Sequence, residues 1–304
     1  MKPLLECVPN FSEGKDHKVI EGLVAVMTAV PGATCLSHEM DGAHNRCVIT
    51  LAGSPEAMAE AAFHGAAAAI DAIDIRNHVG EHKRMGAMDV CPFVPLGSAD
   101  MKLAVKIAMQ VGKRIGEELK VPVFLYAEAA QREARRVLGN VRNKQYEGLL
   151  DLVGLDPAYT PDFGPDKMHE TAGAIGVGAR TFLIAYNINL KTADVAIAKS
   201  IAKQVRERDG GLPRVQAMGF SLDDRNQAQV SMNLLDYNET GIGDVYAEVQ
   251  AKAMVAGVEI DESEIVGLVP ADALDEETAE HIQLKNFDPA EQVVEERLKA
   301  AGVI

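Results

Sequence analysis

The alternation of apolar and polar positions changes along the chain, and each change predicts an element. Leu4–Pro9 reads as a first strand and Asp16–Ala29 as a helix. Thr34–Ser37 and Cys47–Gly53 are short, apolar, β-branched runs, which predict strands. Ser54 is placed to cap a helix from Pro55 to about Ile73, with proline at its first position. Arg76–Asp89 is polar and punctuated by glycine, so a loop is expected. Val90–Leu96 predicts a strand that is edge-like or bulged, because it contains Pro92 and Pro95. Ser98 is expected to cap a helix Ala99–Leu119, followed by a strand Val121–Tyr126. Two short helices fit between Ala129 and Val153. Asp156–Gly178 mixes prolines and glycines with polar residues and reads as a long loop, functional or linking.

The second half follows with a strand Thr181–Leu190 and a helix Ala193–Arg208. Strands Val215–Phe220 and Ala228–Leu234 flank a polar turn, Ser221–Asn226. A helix Asp244–Ala256 and a strand Glu264–Val269 complete the order β-α-β-β-α-β, the split βαβ arrangement of ferredoxin-like domains. The first half has a similar order with insertions. The expectation is an α+β protein of two ferredoxin-like subdomains, residues 1–179 and 180–304, with the substrate site at their junction. Residues 274–304 read as acidic, solvated helix.

Length and composition agree with two subdomains. The chain has 304 residues, 47% of them hydrophobic, enough for a core and against global disorder. A formal net charge of −15 disfavours nucleic acid and anionic membranes as partners. The charge is uneven: residues 76–144 carry 13 basic and 7 acidic side chains, against 3 and 13 in residues 259–304. Cys7, Cys35, Cys47 and Cys91 form no C-x-x-C pair, which suits reduced thiols in a cytoplasmic protein. The first residues do not read as a signal peptide, and no long apolar run predicts a membrane span.

Residue types nominate one loop for chemistry, Arg76-Asn-His78-Val-Gly80-Glu81-His82-Lys83-Arg84-Met-Gly86. It holds two of the eight histidines among several bases. Histidine titrates near neutrality and suits proton transfer, and neighbouring cations favour its free base and attract an anionic substrate. The competing reading is a solvated basic loop. A metal site on His78 and His82 is weakened by Gly80, which argues against a helix there. His38, Glu39, Asp41 and His44 sit between two strands, where the carboxylates could hold a cationic group or merely shape an Asp-Gly turn. The Gly173…Gly178 stretch lacks the strand-before, helix-after context of a dinucleotide fingerprint, leaving a cradle for a ligand edge or a linker. Cys91 reads as a buried structural thiol. His17, His64 and His281 lie on helical faces.

Several motifs, in order, carry a resemblance. Glu6-Cys-Val-Pro-Asn10-Phe-Ser-Glu-Gly14, then Gly80-Glu-His82, then Arg84-Met-Gly-Ala-Met-Asp-Val-Cys-Pro-Phe-Val-Pro95 resemble the formiminotransferase domain family. So do Asp162-Phe-Gly-Pro165, Val177-Gly-Ala-Arg180 through Leu190, Gln227-Ala-Gln229-Val-Ser231 and Val266-Gly-Leu-Val-Pro270. The resemblance spans essentially the whole chain. It implies two α/β subdomains with a folate-lined channel between them, usually in a homodimer. It implies transfer of a formimidoyl group from N-formimidoyl-L-glutamate to the 5-nitrogen of tetrahydrofolate, in histidine breakdown, with no metal. Tetrahydrofolate is then the co-substrate.

The same resemblance puts the catalytic histidine at His82. Glu39 and Asp41 are alternative partners for it. Asn10, Asn45 and Arg46 fall in the substrate site. The folate segment runs Phe163, Gly164, Pro165, Asp166, Lys167, Met168, His169, Glu170, Thr171 and Ala172. Lys83 stands where a proline is common, and His169-Glu-Thr-Ala replaces a tryptophan-bearing version. The chain ends where the animal proteins continue into a cyclodeaminase domain, so a monofunctional enzyme is expected. Arg76, Lys83, Arg84, Arg132, Arg135 and Arg136 are candidate contacts for the glutamate carboxylates of folate. Two alternatives stay open: a formyl transfer with 5-formyltetrahydrofolate, and a folate-binding protein without turnover.

Overall fold

The computed structural model describes residues 2–42, 44–80, 83–222 and 225–304, with the backbone alone of Glu276. The chain divides into two compact units, residues 1–180 with Val303, and residues 181–302 with Ile304.

The first unit begins with β1 (Pro3–Cys7), β2 (Asn10–Phe11), α1 (His17–Thr28), β3 (Ala33–Asp41), β4 (Arg46–Gly53), α2 (Pro55–Ala72) and β5 (Met88–Gly97). Strands β3, β4, β1 and β5 pair in that order, all antiparallel. That is the ferredoxin-like order, and β2 continues the line of β1 between β4 and β5. The chain then adds α3 (Met101–Arg114), β6 (Val123–Ala127), α4 (Gly139–Arg142), α5 (Gln145–Leu150) and β7 (Ile175–Ala179). β7 runs parallel to both β5 and β6 and extends the sheet to seven strands.

Period-2 alternation sorts this sheet into two faces. Leu5, Cys7, Phe11, Cys47, Ile49 and Leu51 pack with the apolar stripes of α1, α2 and α3. Each large side chain so buried contributes about 1.5–3 kcal/mol. The intervening residues, among them Glu6, Asn10, Val48 and Thr50, lie on the other face. Over β6 and β7 that second face is covered by a smaller cluster, including Phe124, Val141, Tyr146, Leu149 and Met168.

The second unit comprises β8 (Ile184–Leu190), α6 (Val195–Val205), β9 (Val215–Leu222), β10 (Gln227–Leu234), α7 (Ile242–Val255) and β11 (Ile260–Val266), then α8 (Glu276–His281), α9 (Pro289–Gln292) and α10 (Val294–Ala300). Its sheet order, β11-β8-β10-β9, is again ferredoxin-like and fully antiparallel. The protein is thus α+β with two such sheets. Among the described residues no helix is long and apolar enough to cross a membrane.

Several expectations need correction. The loop expected over Asp156–Gly178 ends in a buried strand, β7, because Gly176 and Gly178 are interior sheet positions rather than linker. A Cβ on Gly178 would strike the ring of Tyr126, at 2.6 Å. The turn expected around Glu39 and Asp41 is strand: β3 continues to Asp41 past a bulge between Cys35 and Ser37. Asp100, not Ser98, caps α3, accepting from Leu103 N at 2.9 Å. The helix then widens into a π-helical turn, Ile115–Leu119. β11 starts at Ile260, before the expected strand, because its glutamates alternate onto one face of an edge strand.

β5 is central, not an edge, and it is bulged where Asn10 and Phe11 oppose Val90 and Met88. The missing N–H of Pro92 falls at the break between β1 and β2. Val8 N still donates to the Pro92 carbonyl at 3.1 Å. Val8 O, which would have received the Pro92 donor, accepts Asn10 Nδ2 at 2.7 Å instead.

Candidate active site

Close backbone contacts converge on the first unit's β3–β4 connection. A Cβ on Gly14 would collide with the Asp41 carbonyl and the Arg46 backbone nitrogen, and one on Gly80 with the His44 carbonyl. Only glycine lets these three segments meet. Asn45 sits at their junction with φ of 50°, a left-handed conformation that asparagine tolerates. Its Oδ1 accepts from Gly14 N at 2.9 Å and its Nδ2 donates to Val79 O at 3.1 Å.

A small cleft opens beside it. Its walls are Phe11 of β2 and Ser12 after it, His44 and Asn45 before β4, Arg46 at the start of β4, His78 and Arg84 from the basic loop, and Asp89 of β5. Ser12 Oγ donates to Gly86 O at 2.7 Å, and Asp89 accepts from Met85 N at 2.8 Å. Asp89 also pairs with Arg142 at 2.6 Å. Burial pushes Arg46 down to about 10, helped by the like charge of Arg142 and opposed by Asp89 and Asp41.

The two loop histidines differ in standing. His78 has both ring nitrogens engaged: Nε2 lies 2.8 Å from the Asn45 carbonyl, and Nδ1 accepts from Arg84 Nε at 3.1 Å. A carbonyl accepts and a guanidinium donates, so His78 carries its proton on Nε2. Glu81 and His82 lie outside the described residues.

The two candidate carboxylates also differ. Asp41 is engaged by His44, whose backbone nitrogen donates at 2.9 Å and whose Nδ1 lies 2.6 Å from Oδ2. Glu39 opposes Val48, as Asn10 does, so Glu39 and Asn10 point to the same face of the sheet. Partial loss of water raises its carboxyl above the usual range, although the residue as a whole counts as exposed.

The folate segment expected from sequence wraps onto the basic loop. Ile75 N donates to Thr171 O and Ala87 N to Ala172 O. Arg76 pairs with Glu170 at 2.8 Å. Phe163 O accepts from Val123 N at 2.9 Å, and Gly164 has φ of 87° where a Cβ would meet Val121 O. Pro165 is half-buried, and Asp166 and Lys167 are exposed. Met168 and Ala172 are buried in the core beneath. His169 Nδ1 accepts from the backbone nitrogens of Thr171 and Ala172, shaping the turn.

The basic residues form fewer open contacts than their count suggests. Arg76 is shared by Asp74 and Glu170, Arg84 by Glu147, and Arg136 by Glu128 and Glu133. Arg132 donates to the Pro157 carbonyl. Arg135 is 3% exposed and paired with buried Asp162 at 2.6 Å, so it cannot contact a ligand. Sequence reasoning missed Ser12, Asp89 and Arg142. Ser12 and Asp89 stand inside the quoted motifs, so a signal existed; Arg142 had none. Among the described residues no group of three or more His, Cys, Asp or Glu is arranged for a metal ion.

A basic loop with histidines, a carboxylate of raised pKa and the guanidinium groups of Arg46 and Arg142 border this face of the first unit. Relatives narrow the choice. The formiminotransferase domain, N-terminal subdomain, matches residues 4–180, and the formiminotransferase domain matches residues 185–299. Glutamate formimidoyltransferase of Thermoplasma acidophilum is 46% identical over 302 residues, 99% of each chain. That of Streptococcus pyogenes is 42% identical over 298 residues, 98% of this chain and 99% of its own. Formimidoyltransferase-cyclodeaminase of Gallus gallus is 46% identical over 279 residues, 90% of this chain but 51% of its own length. With both units matched in order and end-to-end identity above two-fifths, the chain belongs to the formiminotransferase domain family.

Proposed function

We propose that this chain is a glutamate formimidoyltransferase, moving the formimidoyl group of N-formimidoyl-L-glutamate to the 5-nitrogen of tetrahydrofolate in histidine breakdown. The observation that carries the reading is the 42–46% identity to two glutamate formimidoyltransferases across nearly their whole length. The same reading makes the protein a cytoplasmic homodimer with small-molecule substrates.

The reaction needs one group to take a proton from the attacking nitrogen and return one to the departing glutamate nitrogen. His82 fills that role. His78 does not compete for it, because both its nitrogens are engaged. Glu39 holds the cationic formimidoyl group and the tetrahedral intermediate, since Asp41 is tied to His44. Asn45 and Arg46 line the donor end, and the turn from Phe163 to Ala172 borders the folate. Positioning two substrates supplies much of the rate enhancement.

Single-turnover assay of His82→Ala with N-formimidoyl-L-glutamate and tetrahydrofolate tests the role of His82. A rate that stays within about tenfold of wild type, roughly 1.4 kcal/mol, removes His82 as the acid–base group. Parallel turnover with N-formyl-L-glutamate and N-formimidoyl-L-glutamate tests the donor.

A further inference from the structure

The end of α3 departs from the α-helix where it meets the segment proposed to border the folate. Ile115–Leu119 forms a π-helical turn, and Lys120 closes it with φ of 58°. A π turn holds one residue more than the helix needs, is rare, and recurs at functional sites. The turn sets Gly116 against Phe163 and Gly164. A Cβ on Gly116 would lie 2.5 Å from Gly164 N and 2.8 Å from both the carbonyl carbon and the Cβ of Phe163. Two of these three atoms are backbone, so no side-chain rotation relieves the clash. The contact is reciprocal: a Cβ on Gly164 would lie 3.1 Å from the Gly116 Cα.

Gly112 stands one turn earlier in α3, and its absent Cβ would lie 3.4 Å from Phe163 Cδ2. The two glycines leave a groove along the helix, and the Phe163 side chain fills it. Phe163 also packs against the main apolar cluster, and its carbonyl accepts from Val123 N at 2.9 Å. The residue is therefore committed to the protein, its ring to α3 and its backbone to β6. The exposed residues that follow are Gly164, Asp166 and Lys167, before Met168 turns back into the core. So short a stretch between two anchors moves when either anchor moves.

We infer that Gly116 is a positioning residue for the acceptor. It admits the Phe163–Gly164 backbone against the widened turn of α3, and so sets where the exposed stretch 164–167 stands. It touches no substrate and takes no part in proton transfer. The ring of Phe163 anchors this segment rather than stacking on a ligand. The inference rests on the folate reading above.

The test uses the full chain with Gly116→Ala, Gly112→Ala and Gly22→Ala. Gly22 lies in α1 with nothing near its absent Cβ, so its variant is the control for adding a methyl group to a helix. Affinity is measured for 5-formyltetrahydrofolate, KM for tetrahydrofolate and for N-formimidoyl-L-glutamate, and Tm for each protein. Gly116→Ala is expected to weaken both folate constants by about tenfold or more as the stretch loses its preset position, with the donor KM held within about twofold. Gly112→Ala should weaken them by roughly threefold, because its Cβ meets only side-chain atoms that can yield, at 3.3 to 3.4 Å. Gly22→Ala should leave all three constants unchanged. A merely structural role would lower Tm and keep the folate constants of Gly116→Ala at wild-type values, and that result overturns the inference. A rise shared equally by both KM values, or confined to the donor, overturns it too. Should Gly116→Ala fail to fold, Gly112→Ala decides, and wild-type folate affinity there overturns the inference. Wild type that neither binds folate nor turns it over overturns the folate reading itself, a result separable from an unchanged variant of an active enzyme.

Discussion

Arg84 reaches His78 with its Nε, 3.1 Å from Nδ1, while its two terminal nitrogens hold Glu147. The guanidinium, itself a wall of the cleft, therefore fixes the tautomer of one loop histidine. Hydrogen bonding from Arg84 also holds the Glu147 carboxyl below its usual range. His78 is consequently a positioning residue. His78→Asn should lower kcat by less than about tenfold and leave the shape of the pH–rate profile unchanged. His82→Gln should cost about 10²–10⁴-fold, the span of general acid–base catalysis. Rate profiles of both variants between pH 5 and pH 9 (about two units either side of neutrality) check the contrast.

Glu6 makes the free protein sensitive to pH in a defined direction. Burial pushes its folded carboxyl up to about 7, above the ordinary 4.5 of a free glutamate. The stability it allows is fully present below 4.5, where folded and unfolded chains are both protonated. It is lost as pH rises to about 7, because the unfolded chain ionises first. The loss is on the order of 3 kcal/mol across that window. In urea unfolding, Glu6→Gln should match wild type at the acid end and exceed it above neutrality. Parallel stability curves for the two proteins would contradict the assignment.

Gly80 is tested by the smallest possible addition. Its absent Cβ leaves room for the His44 carbonyl, so Gly80→Ala must push the basic loop away from Asn45. The expected outcome is a loss of about 1–3 kcal/mol and a fall in kcat/KM of about tenfold or more, as the loop leaves its position. Thermal unfolding together with kinetics separates this from global unfolding: Tm should fall by only a few degrees.

Much of the fold was legible because local signals agreed with the tertiary answer. Ser54 and Pro55 open α2 as their types demand, with Ser54 Oγ accepting from Ala57 N at 3.2 Å. β8 through β11 show their ferredoxin-like order in sequence. β7 was hidden, because glycines that admit the Tyr126 ring look the same in sequence as glycines of a linker. Pro92 misled for a related reason, since its lost donor is replaced by Asn10, which no local pattern reveals. The basic loop was nominated from residue types alone. Its charge was overread, because the partners of Arg76 and Arg84 lie 94 and 63 positions away, at Glu170 and Glu147.

Arg135 and Asp162 secure the approach to the segment proposed to border the folate. Asp162 Oδ2 accepts from Arg135 at 2.6 Å and from Leu125 N at 2.7 Å, and the same arginine holds the carbonyls of Ala158 and Thr160. Side-chain exposures of 3% and 8% leave little water to screen the pair. Removing the arginine alone strands a buried carboxylate one residue before Phe163. Arg135→Met should therefore cost about 3–5 kcal/mol and weaken folate binding as the turn loosens. Adding Asp162→Asn removes the stranded charge and keeps an acceptor for Leu125 N. The double variant should recover about half of the lost stability, a coupling of roughly 1–3 kcal/mol. Denaturant titration of the four proteins in the cycle measures it, and strictly additive losses would show that the pair does not act as a unit.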